Sequence, residues 1–189
     1  MLKVNNREKM NLVILELHEP VICEVGVRFG ENLKNLITPN VKNAYGVDIW
    51  MNTNSMGQND NLYPQDELDR QYNNVVNMFK SDDRVKIIRD FSVNSSHSFP
   101  DEYFDFVYLD ADHTYQSVKE DLESWWPKIK KGGILSGHDY IDGDLTIRLG
   151  HSVRFGVVEA VEEFKKIYNI SDENFHLTDE EYASYFIKK

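Results

Sequence analysis

Short continuous apolar runs alternate along this chain with longer segments in which apolar residues recur every three or four positions. The first pattern is typical of buried strands and the second of amphipathic helices. The runs that we interpret as strands are 21–26, 43–50 ending near Asp48, 84–90, 103–112 and 132–140. The periodic segments that we interpret as helices are 6–18, 30–37, 65–80, a stripe of Val118, Leu122, Trp125, Trp126 and Ile129, and a stripe of Val157, Val161, Phe164 and Ile167.

Two stretches carry neither pattern. Residues 51–64 are rich in Asn, Gly and Ser, and residues 141–155 are polar, so we interpret both as loops. The C-terminal stretch NFHLTDEEYASYFIKK has two short apolar runs around an acidic turn, which predicts a hairpin. Because no internal repeat or linker divides the sequence, we predict a single domain over residues 1–189.

The alternation of strands with helices predicts an α/β fold. Such chains form right-handed crossovers, and therefore a mostly parallel sheet with helices on both faces. Ligands bind these sheets beyond the carboxyl ends of the strands, where the strand order reverses. Five acidic residues lie at or just past predicted strand ends: Glu24, Asp48, Asp90, Asp110 and Asp139. We expect their side chains to gather at one edge of the sheet.

The amino-acid composition limits the classes of partner that the protein is expected to bind. The 189 residues carry a formal net charge of -11, which repels the phosphate backbone of a nucleic acid, so no nucleic-acid partner is predicted. No apolar stretch approaches the roughly 18–20 residues of a membrane helix, and the N-terminus lacks a signal-peptide core, so no membrane partner is predicted. Cys23 lies in an apolar run, as expected of a buried thiol in a cytoplasmic protein.

The glycine spacing after the first strand indicates the kind of ligand. The stretch Glu24-Val-Gly26-Val-Arg-Phe-Gly30 lacks the middle glycine of the dinucleotide fingerprint, which argues against a nicotinamide-dependent oxidoreductase. A carboxylate before the turn also opposes a pyrophosphate, whereas it attracts a cation. Asp48, placed 24 residues later, suits the hydroxyls of a ribose. A nucleoside with a cationic tail fits both features, and S-adenosylmethionine is such a ligand.

The sequence resembles the class I S-adenosylmethionine-dependent methyltransferases, and within them the small-molecule O-methyltransferase-like branch that includes sugar methyltransferases of macrolide biosynthesis. The resemblance covers residues from about 20 to 189. It rests on the stretches EVGVRFGENL, GVDIW, FDFVYLDADHTYQSVKEDLESWWPKIKKGGILSGHDY and FGVVEAVEEF. It implies a Rossmann-like fold with a mostly parallel seven-stranded sheet, a C-terminal antiparallel hairpin and helices on both faces.

The resemblance also implies roles in cofactor binding. Gly26 and Gly30 bring the backbone close to the methionine part, and Glu24 helps to hold its ammonium group. The nucleoside side is assigned to a second set: Asp48 for the ribose hydroxyls, Ile49 against the adenine, Asp90 near the adenine amino group, Phe91 beside it and Asp110 facing the transferred methyl. The alternative interpretations are that Asp48 and Asp90 only cap turns or helices and that Glu24 is a solvated charge.

The same resemblance implies a metal. In relatives that use a divalent cation, acidic residues at the positions of Asp110 and Asp139 bind it, and carboxylate oxygens suit Mg²⁺. Catechol-type relatives carry an asparagine just after the second aspartate, and here that residue is Tyr140. The third ligand, and with it the requirement for Mg²⁺ or another divalent cation, therefore stays open.

A hydroxyl acceptor needs a base or a metal to remove its proton. The candidate catalytic residues are Asp110, His113, His138 and Asp139, of which the two histidines are the better bases because imidazole titrates near pH ~6.5. The alternative for His138 is a structural hydrogen bond that orients its loop. Asp112 is better interpreted as a cap of the helix that begins near Thr114.

The methyl acceptor is less defined. Few residues precede the first strand, so we expect the loop at 50–64, the polar stretch at 141–155 with His151 and Arg154, or a neighbouring subunit of a homo-oligomer to recognise it. A small-molecule or carbohydrate acceptor is consistent with this. The sequence therefore predicts an O-directed methyltransferase, and the alternative is a catalytically silent binding or scaffold module of the same fold.

Overall fold

The protein is described by a computed structural model that covers residues 3–53, 63–146 and 152–189. Its strands are β1 (Val21–Val25), β2 (Asn43–Asp48), β3 (Val85–Arg89), β4 (Phe104–Leu109), β5 (Ile129–Gly137), β6 (Asp142–Thr146), β7 (Ser152–Gly156), β8 (Phe175–Leu177) and β9 (Tyr185–Lys188). Its α-helices are α1 (Met10–Leu15), α2 (Glu31–Leu36), α3 (Gln65–Phe79), α4 (Ser92–His97), α5 (Tyr115–Trp125) and α6 (Val157–Ile167).

Seven of the described strands form one sheet in the order β3-β2-β1-β4-β5-β9-β8. The five strands from β3 to β5 pair in parallel, whereas β9 pairs antiparallel with both β5 and β8. Consecutive crossovers run outward in one direction from β1 to β3 and in the other from β4 to β5. The order therefore reverses between β1 and β4, where a crevice opens at the carboxyl ends of the strands. The predicted fold and C-terminal hairpin are confirmed.

Both faces of the sheet are covered, and β1 shows how this follows from its sequence. Val21, Cys23 and Val25 belong to a core cluster that also contains residues of α5 and α6. Ile22, on the opposite face, belongs to a cluster with residues of α1 and α2. Because successive strand residues point to opposite faces, Glu24 must share the face of Ile22 and is fully buried there.

The predicted elements hold with four differences. Ile129 does not extend the α5 stripe: Pro127 follows Trp126 in a 3₁₀ turn, and Ile129 begins β5. The interpretation of 141–155 as a loop is wrong, because its described part forms the β6–β7 hairpin, in which Val153 and Phe155 are buried and alternate with exposed residues. The α6 stripe ends before Ile167, whose side chain is half exposed. Helix α4 was not predicted.

None of the helices in the described ranges has the length and apolar character needed to cross a membrane. Residues 54–62 of the predicted loop at 51–64, and His151 of the polar stretch, lie outside the described residues.

The turn after β1 approaches the end of β4 closely enough to exclude any side chain. Gly26 has a φ of 91°, and a Cβ built on it would lie 2.0 Å from the Asp110 carbonyl oxygen. Gly132 in β5 has a similar φ of 79°, but no atom lies within 4 Å of its Cβ position. The two glycines therefore separate the cost of backbone conformation from the cost of crowding.

We expect Gly132→Ala to lower the free energy of unfolding by about 1–2 kcal/mol, since the left-handed region disfavours any Cβ. Gly26→Ala should lower it by roughly 3 kcal/mol or more, because the Cβ also collides with backbone that has no flexible end to yield. Urea denaturation of both variants measures the difference. Equal losses would show that the contact between the two strand ends is not tight.

Candidate active site

A cavity of about 1200 Å³ opens at the crevice between β1 and β4. It is lined by the carboxyl ends of the parallel strands and by the turns and helices that follow them. Most of the residues singled out from the sequence line it: Gly26, Asp48, Ile49, Asp90, Phe91, Asp110, His113, His138 and Asp139. Glu24 and Gly30 do not. The expectation that the acidic strand ends gather at one edge therefore holds for four of the five carboxylates.

The turn between β1 and α2 forms one wall. Gly26 donates its N–H to the Val47 carbonyl, and the Asp110 N–H donates to the Val25 carbonyl, so β1, β2 and β4 are tied together where they end. Gly30 has a φ of 85° and precedes the first residue of α2, so its backbone conformation turns the chain into the helix. Gly30 thus shapes the turn from behind, whereas Gly26 brings bare backbone to the cavity.

Glu24 lies beneath this wall. Its carboxylate accepts a hydrogen bond of 2.6 Å from Asn32 Nδ2, and Asn32 lines the cavity. The other oxygen, Oε2, has no hydrogen-bond partner among the described residues. Complete burial raises the pKa of Glu24 to about 8, although the hydrogen bond from Asn32 opposes this. Glu24 is therefore neither a solvated charge nor a rim residue, and its contact with the cavity runs through Asn32.

Asp48 ends β2 and organises two turns. Its Oδ2 accepts the Arg28 N–H at 2.8 Å, and its Oδ1 accepts the Trp50 N–H at 3.1 Å. Burial raises its pKa, and the backbone hydrogen bonds counteract that rise. The capping interpretation therefore holds for Asp48, but these two hydrogen bonds do not use all the lone pairs of its carboxylate. Each carboxylate oxygen has a second lone pair, and the residue lines the cavity.

Asp90 and Phe91 form the rim beyond β3. The Asp90 carboxylate accepts the Phe91 N–H at 2.7 Å and an Asn94 amide N–H at 3.3 Å, so it caps the start of α4. Phe91 is 45% exposed although it is large and apolar, and it lines the cavity. An exposed aromatic ring at a cavity rim offers a flat surface for a heterocycle.

Arg7 was missed by the sequence analysis. Its Nη2 donates to Asp110 Oδ2 at 2.5 Å, and its Nε donates to Asn32 Oδ1 at 3.4 Å. Arg7, Asn32 and Glu24 thus form a chain of contacts from the N-terminal segment to β1. No motif marks Arg7 or Asn32, although Asn32 does lie in the first turn of the helix that follows the glycine turn.

Two histidines and two aspartates meet on the other side of Asp110. His113 Nε2 lies 3.3 Å from Asp110 Oδ1 and 3.0 Å from Asp139 Oδ2, and His138 Nδ1 lies 2.7 Å from Asp139 Oδ1. Asp139 directly follows His138 at the end of β5 and has a φ of 52°, an uncommon conformation outside glycine. The four candidate catalytic residues thus form one cluster that faces the cavity.

Charge sets the protonation within this cluster. Burial alone would raise the pKa of Asp110, but the hydrogen bond with His113 and the nearby charge of Arg7 hold that pKa below its ordinary value. Burial would lower the pKa of His113, yet its two aspartate neighbours raise it above its ordinary value. The cluster therefore keeps Asp110 ionised beside an imidazole, that of His113, which readily accepts a proton.

The remaining wall, formed by α5 and the turn before it, is also acidic. Asp112 accepts the Thr114 N–H at 2.8 Å and so holds the turn before α5, whereas the helix cap is Thr114, which accepts the Ser117 N–H. Asp121 in α5 is buried at the cavity, and burial raises its pKa to about 7. The cavity as a whole is negative, with Arg7 and Arg28 as the cationic side chains among its described lining residues.

The comparisons with known proteins agree with this geometry. A family model described as a methyltransferase domain matches residues 23–140, which is more than half of the chain. Among curated protein sequences, none matches significantly.

Solved structures with a similar fold include three proteins with different described activities. One is described as an rRNA methylase from Clostridium thermocellum (16% identity, TM-score 0.63, covering 100% of this chain and 99% of that one). Another is described as a caffeoyl-CoA O-methyltransferase from Staphylococcus aureus. It has 15% sequence identity and a TM-score of 0.62, and the match covers 100% of this chain and 85% of that one. The third is spermidine synthase from Thermotoga maritima. It has 16% sequence identity and a TM-score of 0.59, and the match covers 96% of this chain and 59% of that one.

At these identities the structures establish the fold alone, whereas the family model spans the turn after β1, the β2 and β3 ends and the whole histidine–aspartate cluster. The chain therefore belongs to this methyltransferase family, and its fold is that of the class I S-adenosylmethionine-dependent methyltransferases.

Proposed function

We propose that this protein transfers a methyl group from S-adenosylmethionine to a hydroxyl oxygen of a small molecule or a sugar. One observation carries the proposal: the glycine turn, Asp48 and Phe91 share a single cavity with the histidine–aspartate cluster. The first set suits an adenosyl ligand, and the second suits removal of a proton from an acceptor beside it.

The donor groups fit the cofactor. Gly26 has no side chain and lines the cavity, so it offers bare backbone against which the methionine part can lie. A bound ammonium group favours ionisation of Glu24, whose unpartnered oxygen then carries the compensating negative charge behind Asn32. Arg7, on the other side of Asn32, offers a guanidinium to the methionine carboxylate. Asp48 has lone pairs for the ribose hydroxyls, and Ile49 and Phe91 provide apolar surface for the adenine.

The cluster fits a hydroxyl acceptor. In the proposed reaction, a lone pair of the acceptor oxygen attacks the methyl carbon as the carbon–sulfur bond breaks, leaving a neutral thioether. His138 takes the hydroxyl proton, and its Nδ1 contact with Asp139 stabilises the charge that the ring acquires. A divalent cation held by Asp110 and Asp139 would supply Lewis-acid chemistry that lowers the pKa of the hydroxyl.

Charge favours a small acceptor over RNA. The net charge of -11 and the acidic cavity wall oppose a polyphosphate, and the described cavity lining has few cations to offset this. A likeness to a structure described as a caffeoyl-CoA O-methyltransferase is consistent with transfer to oxygen. Arg154 in the β6–β7 hairpin is exposed, but the described residues of this hairpin do not line the cavity.

Asp48→Ala should weaken S-adenosylhomocysteine binding by about 100-fold or more, because two hydrogen bonds from ribose hydroxyls to a charged group are lost. Asp82→Ala is the matched control, since Asp82 also accepts a backbone N–H, from Arg84, but does not line the cavity. Isothermal titration calorimetry measures both affinities. An Asp48→Ala variant that folds and binds as tightly as the parent would contradict the assigned cofactor site.

Glu24→Gln should stabilise the free protein above neutral pH and yet weaken its cofactor binding. A carboxyl whose pKa rises to about 8 on folding is protonated in the folded state and ionised in the unfolded state between pH ~4.5 and 8. Stability from this group therefore falls as pH rises through that window, and the amide, which does not ionise, removes the loss. Urea unfolding at pH 5 and pH 8 measures the difference in slope between parent and variant.

The exposed Glu123→Gln variant controls for the general effect of removing one negative charge. S-adenosylhomocysteine titration of the same samples should show roughly tenfold weaker binding to Glu24→Gln, because the ammonium group loses its negative partner. Identical pH slopes in Glu24→Gln and the parent would mean that Glu24 is already ionised in the folded protein.

Incubation with methyl-labelled cofactor, divalent cations and a panel of sugars and catechols should label an oxygen of one acceptor class. His138→Ala should then lower kcat by about 100-fold or more while S-adenosylhomocysteine affinity stays within about twofold, as expected of a base that acts only on the acceptor. The exposed His18→Ala variant is the control. Cofactor binding without transfer to any acceptor would favour the scaffold module, and label on nitrogen would contradict O-methylation.

A further inference from the structure

We propose that Asp110, His113 and Asp139 form a divalent metal site in which His113 is the third protein ligand. We further infer that this site selects a first-row transition ion such as Mn²⁺ or Co²⁺ over Mg²⁺. The inference rests on the proposed function, since the ion would act on the methyl acceptor, and it adds the missing ligand and the class of metal.

The ligand atoms are spaced as one ion requires. One atom from each of the three side chains lies within 4.8 Å of the other two. His113 Nε2 is 3.0 Å from Asp139 Oδ2 and 3.3 Å from Asp110 Oδ1. Neighbouring ligands around an octahedral ion bound at roughly 2.1 Å lie about 3 Å apart, so an ion could replace these contacts with little movement.

The other oxygen of each carboxylate is held by a different partner. Asp110 Oδ2 accepts from Arg7 Nη2 at 2.5 Å, and Asp139 Oδ1 lies 2.7 Å from His138 Nδ1. Each aspartate thus turns one oxygen towards His113 while an outer residue fixes the second. Such an arrangement is typical of metal ligands, because hydrogen bonds to residues outside the coordination sphere set the orientation of those ligands.

The position of His113 is fixed independently of the aspartates. Its ring stacks on Phe155 with 4.9 Å between centroids and 20° between planes, and its backbone carbonyl accepts the Gly156 N–H at 2.9 Å. Gly156 itself has no room for a side chain, because a Cβ there would lie 2.6 Å from Tyr115 Cβ. The end of the β6–β7 hairpin therefore sets the imidazole in place before any ion binds.

The donor set decides the class of metal. An imidazole nitrogen with two carboxylates suits first-row transition ions, whereas Mg²⁺ prefers oxygen alone. Tyr140 is not a substitute oxygen ligand, because its hydroxyl donates to Glu162 Oε1 at 2.7 Å and the residue does not line the cavity. Three protein ligands leave coordination positions for water or for the oxygens of an acceptor.

The assignment divides the roles of the two histidines. A His113 whose Nε2 ligates the ion cannot also take a proton at that atom. His138 reaches Asp139 through Nδ1 and so keeps Nε2 for the acceptor. The base named under the proposed function is therefore His138 alone.

Titration of the metal-free protein with Mn²⁺, followed by electron paramagnetic resonance and calorimetry, tests the inference. We expect one bound Mn²⁺, at least about tenfold tighter than Mg²⁺, with spin-echo modulation from a directly bonded ¹⁴N nucleus. His113→Ala should lose that modulation and at least about tenfold in Mn²⁺ affinity. His138→Ala should keep the modulation, which assigns the nitrogen to His113, and the exposed His97→Ala should match the parent.

His113→Asp serves as a conservative variant, since a third carboxylate should restore binding while shifting the preference towards Mg²⁺. Absence of Mn²⁺ binding to the parent, absence of ¹⁴N modulation, tighter binding of Mg²⁺, or unchanged affinity in a folded His113→Ala would each overturn the assignment. If His113→Ala does not fold, the modulation in the parent and in His138→Ala decides. S-adenosylhomocysteine titration of the metal-free parent distinguishes a failure of the proposed function from a failure of the proposed metal ligands. Absence of S-adenosylhomocysteine binding would contradict the proposed function and leave the ligand set untouched.

Discussion

The contact between the turn after β1 and the end of β4 is the constraint on which the site depends. Gly26 meets the Asp110 carbonyl with no space for a side chain, and the strands are tied by hydrogen bonds on either side. The same contact places Asp110 next to the cavity wall, and Asp110 then joins Arg7 on one side to the histidines on the other. Under the proposed function, the cofactor and the acceptor would therefore bind on either side of one segment of backbone.

The site also buries acidic groups whose ionised forms lack an ion-pair partner within the described part of the chain. Glu24 is fully buried with one oxygen unpartnered, and Asp121 is buried at the opposite wall. Burying such groups costs free energy that a structural role alone does not explain, because apolar residues of similar size would fill the same space more favourably. The proposed function would account for the cost, because a cationic ligand would turn the penalty at Glu24 into affinity. Arg7 plays the converse part, since it holds Asp110 ionised within the protein.

Much of the fold and part of the site followed from sequence pattern. Apolar runs located the strands, and the rule that carboxyl ends share an edge brought Asp48, Asp90, Asp110 and Asp139 together. The pattern failed in two ways, one local and one involving a contact distant in the chain. Trp125 and Ile129 are four residues apart, which is the spacing of a helix. The pattern therefore predicted a helical stripe past Pro127, although the helix ends before that residue. By contrast, Arg7 reaches a partner 103 residues away, which no local period reveals.

The β6–β7 hairpin and Glu24 show a different limit. Alternation of Val153 and Phe155 with polar neighbours was present, but the polar composition of the whole stretch concealed it. Glu24 was placed at the strand end, whereas it lies one residue inside β1, on the face covered by α1 and α2. A shift of one position along a strand changes the face, and so changes a rim residue into a buried one.

The distance along the chain between Gly26 and Asp110 also determines when the cavity comes into existence. In the sheet, β1 lies between β2 and β4. The crevice therefore has a wall on one side only until β4 pairs with β1. That pairing closes a loop that contains most of the sequence between Gly26 and Asp110. Closing so long a loop is entropically costly and slow compared with local pairing. During synthesis from the N-terminus, the nascent polypeptide can pair its first three strands while Asp139 is still inside the ribosome. Ligand capture is therefore confined to the end of folding, where it can stabilise the finished molecule but cannot guide its assembly.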